Sequence, residues 1–102
     1  VGTNGGQTCA AWVEDSVYGA ASRSSFSAVL NGRFRGGWTT RHYGRPDDNI
    51  HAVQMELAQR TYLETEAPPC AYASNKAEPI RQTLSGILEA LTEQASSRQE
   101  TS

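Results

Sequence analysis

The residues best suited to chemistry lie in one stretch, residues 31–46, which reads NGRFRGGWTTRHYGRP. It holds four of the nine basic residues and four of the nine glycines of the chain. Guanidinium groups pair bidentately with carboxylate or phosphate, and glycine lets the main chain approach a ligand closely. We call residues 31–46 the arginine segment and predict that it binds a small anion. The alternative is a solvated hairpin whose arginines form only weak surface ion pairs. The four arginines are Arg33, Arg35, Arg41 and Arg45.

The charge distribution favours a small anion over a nucleic acid. Residues 1–45 carry five arginines and two acidic residues, whereas residues 46–102 carry four basic and nine acidic residues. Proteins that bind nucleic acid usually present a broadly basic domain, and this chain has a net charge of -2. No apolar run approaches the roughly 18 residues that a membrane helix needs. We therefore predict neither a nucleic-acid partner nor a membrane partner.

The two cysteines, Cys9 and Cys70, are 61 positions apart and lack the spacing of metal ligands. Two free thiols are therefore predicted, with a disulfide as the alternative. Without a sign of secretion, the sequence indicates a cytoplasmic location.

A carboxylate and two histidines are the other candidates for chemistry. Glu56 lies in HAVQMEL, among apolar neighbours. It could transfer protons if it borders a pocket, or it could be an exposed glutamate on a strand or turn. His42 and His51 are nine positions apart and lack a clear third ligand, so they give little support for a metal site. We predict a hydrogen-bonding role for His42, beside Arg41, and a structural role for His51.

The elements that must position these residues can be read from periodicity. A helix is predicted over residues 9–21 with Thr8 as its N-cap. The apolar stripe of a second helix is spaced i, i+4, i+7, i+8 and i+11, and Pro79 falls in its first turns after a cap at Ser74 or Asn75. The stripe consists of Ile80, Leu84, Ile87, Leu88 and Leu91.

Strands are predicted between the two helices. Alternation and β-branched or aromatic enrichment indicate them over residues 26–30, 37–43 and 51–56, with a helical turn at 57–62. This order predicts an α/β fold in which helices cover a sheet. Residues 1–93 would form the domain, and the polar residues 94–102 a disordered tail.

The arginine segment, followed after a short polar gap by HAVQMELAQRTYL, closely resembles the C-terminal part of the N-formylglutamate amidohydrolases, also called N-formylglutamate deformylases. The resemblance extends from GTNGGQTC at the start through the final leucine-rich helix, roughly residues 1–92. It implies part of a three-layer α/β/α fold related to zinc exopeptidases. The implied activity is zinc-dependent hydrolysis of N-formyl-L-glutamate to glutamate and formate, in histidine degradation.

The resemblance also implies roles for individual residues. Glu56 would be the general base that handles protons. A substrate-carboxylate clamp would be formed by Asn31, Arg33, Arg35, Arg41, His42 and Arg45. The family's zinc ligands are expected upstream of Val1, and this chain offers none. Trp38 stands where the family usually has tyrosine, and Cys70 where a larger apolar residue is common.

The chain starts at Val1 and opens directly into a glycine-rich loop, so we expect a longer protein. Its partners would be the small anionic substrate together with a missing N-terminal half, or a second copy through self-association. The isolated 102 residues are expected to be inactive. Two alternatives are a non-enzymatic module that binds a small anion and an inactive truncated remnant.

Overall fold

The chain folds around a pair of helices. The computed structural model describes residues 1–101, with side chains for residues 1–98. Helix α1 spans Ala11–Arg23 and helix α3 spans Ser74–Thr101. Their apolar faces pack together, so both helices predicted from apolar periodicity are confirmed.

The core between α1 and α3 is small and apolar. Val17, Ala21 and Ile87 form its buried centre, with exposed fractions of 2%, 9% and 5%. Met55 and Val53, from the extended segment after the arginine segment, pack against this centre. Most of the predicted α3 stripe faces inward, but Leu88 lies 65% exposed.

Helix α1 begins two residues later than predicted, and Thr8 is not its N-cap. The Thr8 hydroxyl donates to the carbonyl of Ala52 at 2.7 Å, so it does not cap the helix. Ala10 occupies the N-cap position, and its N–H donates to Nδ1 of His51 at 3.0 Å. A histidine 41 positions away therefore binds this end of the helix.

The prediction of a sheet is wrong for the described residues. Residues 1–101 are largely helical or irregular, and their β-type pairing is limited to isolated antiparallel bridges: Gly2 with Gln54, Arg45 with Ile50 and Leu63 with Tyr72. The segments predicted as strands over 26–30 and 51–56 do not form a continuous ladder. The alternation of apolar and polar residues predicted strands wrongly here, because a strand also needs a neighbouring strand that pairs with it in register.

The second predicted strand, residues 37–43, is a helix instead. Helix α2 spans Trp38–Tyr43. The rings of Trp38 and His42 stack at 4.3 Å with an interplanar angle of 12°. Side chains four positions apart meet on one helix face, so this contact requires the helical conformation.

Two short 3-10 turns, Pro46–Asp48 and Gln59–Thr61, complete the described elements. The second lies within the helical turn predicted at residues 57–62.

Residues 94–101, predicted to be a disordered tail, continue α3, and Ser102 lies outside the described residues. The Arg98 guanidinium lies 4.7 Å from the ring centroid of Trp12, so α1 provides a partner for this end of α3. Within the described residues, no helix has the length and apolarity that crossing a membrane requires.

The cysteines are free, as predicted, and differ in accessibility. Cys9 is buried and Cys70 is exposed. Burial, and then the negative charge of Glu14, raise the pKa of the Cys9 thiol. A raised pKa lowers the thiolate fraction at a given pH, and the thiolate is the reactive species.

We expect a thiol reagent such as DTNB, at mildly alkaline pH, to label Cys70 rapidly and Cys9 slowly. Raising the pH should accelerate the slow phase, and urea should merge the two phases. In a Cys70→Ser variant only the slow phase should remain. Two equally fast phases in the folded protein would contradict the buried position of Cys9.

Candidate functional site

The start of the arginine segment is fixed by a buried threonine. Asn31 has a left-handed backbone with φ 51°, a conformation that asparagine tolerates well. Its Oδ1 accepts from the backbone N–H of Thr3 at 2.9 Å, and its Nδ2 donates to Thr3 Oγ1 at 2.8 Å. Thr3 Oγ1 in turn donates to Glu14 Oε1 at 2.6 Å. Both polar atoms of the Asn31 side chain thus hold the loop in place.

The glycine-rich loop at residues 2–8 also has a structural role. The carbonyl of Thr3 accepts from the N–H groups of Gly6, Gln7 and Thr8 at 3.1, 3.0 and 3.1 Å. A phosphate-binding loop directs such N–H groups toward its ligand. Here they point to the loop's own carbonyl, so the loop supports the site without cradling an anion.

Gln54 connects the arginine segment to Glu56. Its Oε1 accepts from the backbone N–H of Gly37 at 2.6 Å and lies 3.2 Å from the donating hydroxyl of Thr40. Its Nε2 donates to Glu56 Oε1 at 2.7 Å. The candidate proton-transfer group is therefore one side chain away from the first residues of α2.

Arg33 and Glu56 line the same cavity of about 340 Å³. The cavity opens between the end of α1, the start of the arginine segment, residues 55–57 and the face of α3. Both side chains are exposed, whereas most of the lining is apolar. A guanidinium, which can bind an anion, and a carboxylate, which can transfer a proton, thus border one recess. The apolar lining includes Phe26, Val29, Phe34, Met55, Leu57 and Ile87.

The other three arginines are exposed and spread along the segment. The Arg35 guanidinium extends over Gly5, where an added Cβ would lie 2.7 Å from an Nη atom. Arg41 directs its Nε to the carbonyl of Gly37 at 3.3 Å, beside the Gln54 contact. Arg45 belongs to a separate small loop, which it closes by pairing its backbone with Ile50.

The two histidines have different surroundings. His42 stacks on Trp38 and meets the ring of Tyr43 edge-on, with centroids 4.7 Å apart. His51 Nδ1 accepts from the N–H of Ala10, so its Nε2 donates to Asn49 Oδ1 at 3.0 Å. His51 therefore has the structural role predicted for it, while His42 lies exposed on the arginine segment.

The described residues do not fit a zinc centre. Among them no group of three or more His, Cys, Asp or Glu side chains is placed to hold a metal ion. Both ring nitrogens of His51 are engaged in hydrogen bonds, and Cys9 is buried with a raised pKa. A catalytic zinc uses three protein ligands and an open position.

Gln54 was not among the candidates predicted from sequence, although a signal for it existed. In an extended segment, residues two apart lie on the same face. Gln54 and Glu56 are such a pair within residues 51–56, so a polar side chain on the face of Glu56 could have been considered. Its contact with Gly37, 17 positions away, has no local signature.

Two curated relatives share nearly half of the aligned residues with this chain. N-formylglutamate deformylase from Pseudomonas aeruginosa is 48% identical over 95 residues, a match that covers 89% of this chain and 34% of the relative. N-formylglutamate deformylase from Pseudomonas putida is 46% identical over 92 residues, with the same coverage of 89% and 34%. The chain thus spans about a third of the length of these relatives. No solved structure matches it.

The match to a protein family lies in the first part of the chain. Residues 1–63 match the sequence profile of the family described as N-formylglutamate amidohydrolase. This range contains the whole arginine segment, Gln54 and Glu56. On this match, and on the identity to two curated relatives, the chain belongs to the N-formylglutamate amidohydrolase family.

Proposed function

We propose that this chain forms part of an amidohydrolase that converts N-formyl-L-glutamate and water to L-glutamate and formate. The support is its family and the names of its two relatives, both N-formylglutamate deformylases. The chain would contribute the proton-transferring carboxylate and the carboxylate clamp. Because it spans about a third of those relatives, the remaining parts of the active site would come from other residues.

The observation that carries this proposal is that Arg33 and Glu56 line one cavity. Amide hydrolysis requires a base that takes a proton from water and an acid that gives a proton to the departing nitrogen. An exposed carboxylate can perform both steps in turn. Glu56 would take the proton from the attacking water and deliver it to the amino group of glutamate as the C–N bond breaks.

The substrate's charge suits the arginine segment. N-formylglutamate carries two carboxylates, so more than one guanidinium can pair with it. Arg33 would bind one carboxylate in the cavity, and Arg35, Arg41, Arg45 and His42 are the other candidates. We assign Asn31 a supporting role, because Thr3 already engages its side-chain amide at both ends.

Several further properties belong to the same proposal. The complete enzyme would have the three-layer α/β/α fold, act in histidine degradation and be located in the cytoplasm. Zinc would be held by residues outside this chain, since the described residues do not supply a ligand set. The isolated chain would accordingly be inactive until an N-terminal half, or a second copy, completes the site.

A second candidate function is a non-enzymatic module that binds a small anion. The observation that favours it concerns ion pairs among residues 1–98. There Arg81 pairs with Glu78, whereas none of the four arginines of the arginine segment pairs with a carboxylate. Under this alternative, the full-length protein would bind glutamate or phosphate without hydrolysing N-formyl-L-glutamate. An inactive remnant would do neither.

We expect Arg33→Ala in the full-length protein to raise KM for N-formyl-L-glutamate on the order of tenfold. This corresponds to losing one charge-assisted hydrogen bond of about 1.5 kcal/mol at an exposed site. Steady-state formate release measures it. Arg60→Ala, an exposed arginine outside the segment, should keep the parent KM. Unchanged kinetics in Arg33→Ala would remove Arg33 from the clamp.

A further inference from the structure

The Gln54 side chain contacts both halves of the candidate site. We propose that Gln54 is a positioning residue, which holds the Glu56 carboxylate in a fixed place relative to the arginine segment. This inference rests on the proton role proposed for Glu56. Gln54 itself would transfer no proton, because a carboxamide does not gain or lose a proton near neutral pH.

The orientation of the Gln54 amide is determined by its neighbours. The Gly37 N–H, at 2.6 Å, can only donate, so the atom facing it must be the amide oxygen. The NH₂ end is thereby directed to Glu56 Oε1, 2.7 Å away. A flipped amide would place donor against donor at Gly37 and acceptor against acceptor at Glu56. One oxygen of Glu56 is therefore held, and Oε2 remains for proton transfer.

The backbone of Gln54 is anchored as firmly as its side chain. Gly2 and Gln54 exchange two backbone hydrogen bonds, of 2.8 and 2.9 Å. Thr40, which donates to the Gln54 oxygen, is 7% exposed. An exposed glutamate otherwise has considerable rotamer freedom, and ordering it in the transition state would slow the reaction. Gln54 removes part of that freedom before substrate arrives.

The test is Gln54→Glu in the full-length protein. The new carboxylate can still accept hydrogen bonds from Gly37 and Thr40, so the contacts of residue 54 with the arginine segment are retained. It cannot donate to Glu56 and places a like charge beside it. We expect kcat to fall on the order of 10- to 100-fold, the usual effect of losing a supporting contact. KM and the thermal midpoint should stay close to those of the parent.

Two further variants complete the design. Gln59→Glu introduces the same charge on an exposed glutamine three positions after Glu56 and should retain the parent kcat. Gln54→Leu removes the hydrogen bonds of the amide to Glu56 and also those to Gly37 and Thr40. We expect kcat to fall because Glu56 loses its partner, and KM to rise because α2 loses its contact as well. This division between kcat and KM would not arise from general destabilisation.

The outcomes separate the two proposals. A parent-like kcat in Gln54→Glu, together with a large loss of kcat in Glu56→Gln, would overturn the positioning role and leave the proposed function intact. An equal loss in Gln59→Glu would also overturn it, because charge alone would explain the effect. Full activity in Glu56→Gln would refute the proton role on which this inference rests, whereas a parent full-length protein that releases no formate from N-formyl-L-glutamate would refute the proposed function itself.

Discussion

Replacing Glu56 with glutamine in the full-length protein should lower kcat for N-formyl-L-glutamate by about 10²- to 10⁴-fold, the range that general acid–base groups contribute. Glutamine keeps the size of the side chain, and its Oε1 can still accept from Gln54 Nε2, as Glu56 does at 2.7 Å. The substitution therefore removes proton acceptance while preserving the local contact. KM should change little, because Glu56 is not assigned to the carboxylate clamp.

The matched control is Glu64→Gln, which neutralises another exposed glutamate. It should retain the parent kcat. Formate release by the three proteins, with thermal unfolding measured alongside, gives the comparison. A Glu56→Gln protein that hydrolyses substrate at the parent rate would rule out the proton role.

Gly44→Ala should destabilise the chain by about 1–3 kcal/mol or more, the usual cost of forcing an added group into an occupied space. A Cβ at Gly44 would lie 2.5 Å from the carbonyl oxygen of Thr8 and 2.8 Å from its Cα. Both are backbone atoms, so relief requires the main chain to move. Gly44 follows the last residue of α2, and the displacement would pass directly into the arginine segment. The midpoint of urea unfolding measures the loss.

Gly86→Ala offers the opposite expectation from the same chemical change. Gly86 lies within α3, and an added Cβ would meet no atom within 4 Å. Alanine should therefore stabilise the helix by roughly 0.5–1 kcal/mol, because it loses less backbone entropy than glycine. A Gly44→Ala protein with an unchanged or higher midpoint would contradict the close approach of Gly44 to Thr8, and a lower midpoint in Gly86→Ala would contradict the open position of Gly86.

The helices could be predicted from sequence where their own periodicity determines their burial. Val13, Val17 and Ala21 recur at helical spacing and are buried on α1. Helix α2 could not be predicted in this way. Its threonines and aromatic residues favour a strand locally, whereas the Gln54 contact with Gly37 and the ring stacking of Trp38 on His42 depend on the folded conformation.

The candidate residues could be chosen from the sequence, whereas their arrangement in space could not be predicted from it. Residue types identified the arginines and Glu56, and the structure brings Arg33 and Glu56 to one cavity. Asn31 looked like a ligand-binding residue, but its amide is used by Thr3. The roles of Thr3 and Gln54 depend on contacts 28 and 17 positions apart, which pattern and propensity within short windows do not reveal.

The two tryptophans have different surroundings, so their intrinsic fluorescence should report two different events. Trp12 lies on α1 with Arg98 over its indole and His51 at its edge, so its fluorescence should follow unfolding of the helix pair. Trp38 is 63% exposed and stacks on His42 within the arginine segment. Its emission should respond to anions that bind there. Single-tryptophan variants would therefore separate ligand occupancy from global stability without an added dye.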